Sequence, residues 1–182
     1  MNEYSQSLIL YSDGESQISV KVDHPPVRME RQASIDYLRD HGCVFVPDIG
    51  DLPSWLTGLN REVQEAIVKT HLDLMPIYSV RIPETATIKS KDLILLKEIQ
   101  ELKHLHIAHQ SIEPLDIPCL NYLANLEVLT LIGEGFSDAH VAHLHQTNGL
   151  RAIDIQSTRV TGTVARELIA RFPNAKIYSS SI

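Results

Sequence analysis

Nine histidines stand out in a chain of 182 residues, and several are spaced so that they could share a surface. His104 and His106 are two apart, which on a strand puts both on one face with their Cα atoms roughly 6.6 Å apart. His140 and His143 are three apart, the spacing of one helix face, with His145 close behind. Imidazole is a common metal ligand and titrates near neutrality, so metal binding and pH sensing are the chemistries open to such sets. Neither set forms H-E-x-x-H or joins cysteines in a structural-zinc spacing. His109 follows His106 but leaves the strand for a loop. A solvent-facing side chain is the simpler account of most of these histidines, and no motif requires a metal or cofactor.

Other reactive groups offer less. Cys43 sits in the apolar run Cys43-Val-Phe-Val46 and Cys119 beside Leu120 and Leu123, so both read as small buried hydrophobes rather than activated thiols. Gly133-Glu-Gly135 is followed by no Lys-Ser/Thr pair and is not a phosphate-binding loop. Ser137 after it reads as a helix N-cap. The carboxylates are scattered, with no pair marked for acid–base work. Catalysis is therefore not expected; a histidine-dependent metal-binding protein or hydrolase is the alternative.

What positions these residues is a repeat. Three gapless 24-residue segments start at Leu102, Leu126 and Leu150. Their apolar columns coincide at Leu102/Leu126/Leu150, Leu105/Leu129/Ile153, Ile107/Leu131/Ile155, Ile112/Phe136/Val160, Ile117/Val141/Ala165 and Leu120/Leu144/Leu168. Stepping back one period meets Ile88, Leu93, Leu96 and Ile99, and the preceding run from Ile77 to Ile82 fits with one residue inserted in the 83–87 loop. Stepping forward from Ile153 meets Ile177. Each unit opens with alternating apolar and polar residues, as a half-buried strand does, and continues with apolar residues three or four apart, such as Val164, Leu168 and Ile169. No single strand–helix unit can cover its own apolar edge, so stacking is required. Five parallel strands with four short helical segments, partly 3₁₀, are predicted over 77–182.

The opening L-x-x-L-x-L of each unit resembles the leucine-rich repeat family. Ser157-Thr-Arg-Val-Thr161 with Phe172-Pro-Asn-Ala-Lys-Ile177 is similar to its short bacterial repeats. The position that family fills with Asn, Cys or Thr holds Gln110, Glu134 and Thr158, so the hydrogen-bonded interior of the first two turns departs from the pattern. The resemblance implies an α/β solenoid with strands on a concave face and short helices on a convex one. It also implies that the concave face binds a protein partner. The residues on that face would be Ser79, Arg81, His104, His106, Val128, Thr130, Ala152, Asp154, Lys176 and Tyr178.

Residues 1–76 carry different signals. An Asp-Gly step in Ser12-Asp-Gly-Glu-Ser16 between two β-rich runs predicts a hairpin within 1–27, ended by Pro25 and Pro26. Residues 28–76 are expected to form an α/β cap on the first turn. It comprises a helix from Met29 to His41 stopped by Gly42, a buried strand Cys43–Val46, a loop holding Trp55, and a helix over 60–71 with Val63, Ala66 and Ile67 in helical spacing. The hairpin edge is a possible route to self-association.

Composition sets the outer limits. Hydrophobic residues make up 43% and charged residues 21%, which is globular, while 5% aromatics require an aliphatic core. A net charge of -7, most of it in residues 1–101, argues against nucleic acid as a partner. No apolar run reaches the roughly 18 residues of a membrane helix. Met1 to Ser7 lack a basic stretch leading into an apolar one, and the two cysteines are far apart, so the cytoplasm is the expected compartment.

Overall fold

Alternation decides the centre of the molecule. Leu105 and Ile107 are buried while the alternating His104 and His106 are not, and the same pattern recurs at Leu129 and Leu131 and at Val80 and Ile82. The computed structural model describes residues 5–11, 17–23, 29–46, 60–70, 76–145 and 149–181. Strands β1 (Ser5–Tyr11) and β2 (Gln17–Asp23) pair antiparallel as a sheet of their own. A second sheet has six strands in chain order: β3 (Val44–Val46), β4 (Ser79–Ile82), β5 (His104–Ile107), β6 (Val128–Leu131), β7 (Ala152–Asp154) and β8 (Lys176–Tyr178). β3 runs antiparallel to β4 and every later pair is parallel. The chain is thus a mixed α/β protein built on a mostly parallel sheet.

The period of the sequence is the register of that sheet. Leu105 pairs with Leu129, Leu129 with Ile153 and Ile153 with Ile177, while Val80 pairs with Leu105 across the one-residue insertion. A 24-residue unit leaves little chain for its helix, and the first two helices tighten accordingly into 3₁₀ helices, Ser90–Glu98 and Pro114–Tyr122. With three residues per turn, side chains at i, i+3 and i+6 line up. Ser90, Leu93 and Leu96 therefore form one buried row, and Ile117 and Leu120 another. The later units use α-helices, Asp138–Ala142 and Gly162–Arg171. All of these face one continuous core, in which Leu93, Leu105, Leu129, Ile153 and Leu168 are at most 1% exposed.

The units are also stitched by polar side chains. Ser90 Oγ accepts from the Glu113 N–H at 2.7 Å. Asp138 accepts from the Thr161 N–H at 2.7 Å and from its hydroxyl at 2.9 Å. Arg171 reaches back to the carbonyls of Val141, Ala142 and Leu144, which end the short helix before it.

At the N-terminal side, the helix Met29–Asp40 packs Ile35 and Leu38 into the same core. Gly42 at φ +88 ends it: the Gly42 N–H bonds Arg39 O and the Cys43 N–H bonds Leu38 O, both at 2.9 Å. Two contacts tie this helix to the first repeat. The Tyr37 hydroxyl donates to Asp92 Oδ2 at 2.9 Å. Arg31 donates to Glu101 Oε1, which also accepts from the Ile77 N–H at 3.1 Å. A further helix, Arg61–Thr70, starts at Asn60, whose side chain accepts from the Val63 N–H at 2.9 Å.

Two expectations are corrected. The run from Cys43 to Val46 is not buried throughout: it is the antiparallel end strand, and Val44 is 48% exposed because it points to the outer face. Ile169 is 45% exposed, since the buried stripe of its helix is Ala165 and Leu168, continued by Phe172 beyond it. Gln110 and Glu134, which depart from the repeat pattern, are both exposed, and the Gln110 amide bonds Glu84 at 2.8 Å. Thr158 does turn inward, donating to Ile155 O at 2.7 Å. The expected hairpin turn at 12–16, the prolines after β2 and the Trp55 loop lie outside the described residues.

Candidate functional site

The outward side chains of β4 to β8 make up the candidate site. Two rows cross the strands. One runs Ser79, His104, Val128, Ala152, Lys176, and the other Arg81, His106, Thr130, Asp154, Tyr178. Strand alternation places them there, because their neighbours Val80, Leu105, Leu129 and Ile153 fill the core. None of these outward residues is buried; Arg81, His104, Lys176 and Tyr178 are exposed and the rest intermediate. All ten candidate residues therefore lie on one surface. The antiparallel β3 adds a residue that sequence reasoning missed, Val44, paired with Arg81. Its signal was the exposed position between Cys43 and Phe45 in a run too apolar to show alternation.

Electrostatics distinguish the two ends of the second row. Burial lowers the His106 pKa below its ordinary 6.5, and the neighbouring Arg81 charge lowers it further, while Asp154 pulls the other way. His106 is thus neutral at pH 7 and resists protonation more than a free histidine. The unfolded chain takes up that proton first as pH falls below about 6.5, so this group withdraws stability on acidification and ceases to do so once the native imidazole is charged. An NMR titration should place the His106 midpoint below 6.5. Arg81→Ala should raise the midpoint and Asp154→Asn should lower it further. Movement in the opposite directions would show that the row does not hold these charges side by side.

The margin just before the strands gathers two cations around one carboxylate. Lys103 Nζ lies 4.9 Å from the centre of the Tyr78 ring and 3.9 Å from Glu127, which Arg151 approaches at 3.6 Å. An open groove of about 470 Å³ runs past Glu127, Gly149 and Arg151. At the opposite ends of the strands a second polar groove of about 630 Å³ is lined by Gln110, Gly133, Glu134, Ser157, Thr158 and Arg159. Two of its residues hold left-handed backbone, Gly133 at φ +112 and Ser157 at φ +57. The sequence marked only the glycine; nothing at Ser157 announces a positive φ.

The other histidines part company with the surface pair. His140 is buried at 5% exposure, and both ring nitrogens are occupied. Nδ1 accepts from the Ser137 N–H at 3.2 Å, which places the proton on Nε2, and Nε2 donates to Ile112 O at 2.9 Å. This closes the N-terminus of the helix that Ser137 caps and removes His140 from any shared face with His143. His109 Nε2 lies 3.2 Å from Ile88 O. Among the described residues, no group of three or more His, Cys, Asp or Glu side chains is placed to hold a metal ion. Cys43 is buried and Cys119 half-buried, both unpaired, and burial pushes each thiol up to about 12, with Asp116 adding to the rise at Cys119. Both are therefore protonated and poorly nucleophilic at neutral pH.

Among the described residues no helix is long and apolar enough to cross a membrane. No family model matches the chain, and no curated protein is similar to it at a significant level.

Proposed function

We propose that this chain is a non-catalytic recognition module of leucine-rich-repeat type, a short solenoid that binds a protein partner through the outward face of its sheet. One observation carries the reading: the two rows of outward residues are held in strict register on five successive strands by a core packed from behind. A surface fixed in this way needs little further ordering on binding, so more of the contact energy is kept as affinity. Residues 28–76 act as the cap on the first repeat, through Ile35, Leu38 and the Tyr37 and Arg31 contacts. Two protonated, unpaired thiols suit a reducing compartment, and we place the protein in the cytoplasm. The test is a pull-down from source cells with wild type beside a variant changed together at Arg81, His106 and Asp154. A protein captured by the wild type and lost from the variant supports the sheet face; identical captures overturn it.

A second reading has its own observation. β1 and β2 form a separate two-stranded sheet whose register pairs Leu8 with Val20 and Leu10 with Ile18. Such a hairpin is barely stable alone and gains from a partner sheet, so it could join two copies. Solution mass with and without residues 1–27 decides between a dimer that the deletion dissolves and an unchanged monomer.

A further inference from the structure

We propose that the partner carries an acidic segment, one carboxylate of which docks on Arg81 beside His104 and His106; the inference rests on the sheet-face reading above. Arg81 and His106 are register partners on β4 and β5, and His104 stands two residues before His106 on the same face. Arg81 is exposed and makes no ion pair or hydrogen bond among the described residues. Burial first, and then the Arg81 charge, lower the pKa of the neighbouring His106. The charged groups facing His106 are Arg81 on β4 and Asp154 on β7, while β6 contributes the neutral Thr130. Asp154 is three strands from Arg81, about 14 Å at ordinary strand spacing, and one of its oxygens is held by the Gln156 N–H.

This end of the face therefore gathers an arginine and two imidazoles, with Asp154 the one carboxylate among the described residues that acts on His106, in a chain whose net charge is -7. An arginine fork takes a carboxylate with two parallel hydrogen bonds, and each imidazole offers a ring N–H beside it. Val44, 48% exposed beside Arg81, offers apolar surface to the methylene groups of the same acidic side chain. Because a bound carboxylate favours the charged form of His106, binding should tighten as pH falls below about 6.5.

The probe is a displayed library of random dodecapeptides selected on the whole protein. Enriched peptides should share an Asp or Glu and bind at least about tenfold more weakly to Arg81→Glu. Selection repeated on Arg81→Glu should replace that acid with Lys or Arg. Arg81 is exposed and unbonded, so this variant should melt like the wild type; if it does not, Arg81→Gln removes the charge alone and should also weaken the acidic peptides. Peptides without an acid that are blocked by Thr130→Trp would overturn the carboxylate and leave the sheet face standing. Peptides indifferent to both positions, or no enrichment at all, would overturn the sheet face and this inference with it.

Discussion

Leu129→Ala should lower the unfolding free energy by about 2–5 kcal/mol, whereas Thr130→Ala, one residue further along β6, should stay within about 0.5 kcal/mol. Leu129 is fully buried and sits between Leu105 and Ile153 in the register of the sheet. Removing its isobutyl group forfeits the transfer energy of those carbons and opens a cavity between two neighbours that the backbone hydrogen bonds prevent from closing in. Thr130 points the other way and is not buried. In urea, the Leu129 variant should show a lower midpoint with an unchanged slope, since the surface exposed on unfolding is the same. Equal costs at the two positions would mean that the alternation along β6, and with it the choice of the proposed binding face, is wrong.

The columns spaced by 24 residues were legible because burial in a stacked sheet repeats with the chain. Ile112, Phe136 and Val160 fall on the same rung and all are buried. The one-residue insertion before Ile88 was legible for the same reason, since only that shift returns Val80 to Leu105. What the sequence hid falls into two kinds. Val44 and Ile169 are apolar residues whose exposure depends on where an element ends and which stripe it turns inward, and residue type alone does not carry that. Glu134 departs from the repeat pattern; it turns outward, and its carbonyl accepts from Arg159 of the next unit.

The candidate face was legible as a set, because alternation needs only apolar neighbours to fix it. Its polarity was not. That Arg81 and Asp154 act on His106 from opposite directions depends on strands brought together from 73 residues of chain. Equally, the pattern could not tell the histidines apart. His106 and His140 are the same residue type, but one lies on the outer face and the other is packed under Phe136, whose ring meets it edge-on at 5.3 Å.

That difference gives the second large effect. His140→Ala should cost about 2–4 kcal/mol of stability, because it empties a buried volume and leaves the Ser137 N–H and the Ile112 carbonyl without their partner. The two groups belong to neighbouring repeats, so the loss loosens the start of the helix Asp138–Ala142 and its attachment to the preceding turn together. His106→Ala, on the exposed side of the sheet, should change stability by no more than about 0.5 kcal/mol at pH 7. Binding should reverse the order. At a temperature where both variants are folded, the His140 variant should hold an acidic peptide as the wild type does, and the His106 variant should lose its tightening at low pH. Melting temperatures and peptide affinities measured on the two variants would check this. A His140 variant as stable as the His106 one would show that the buried ring is not the clamp between those repeats. A His140 variant that stays folded but no longer binds would show that the recognition surface extends to the helical side of the molecule.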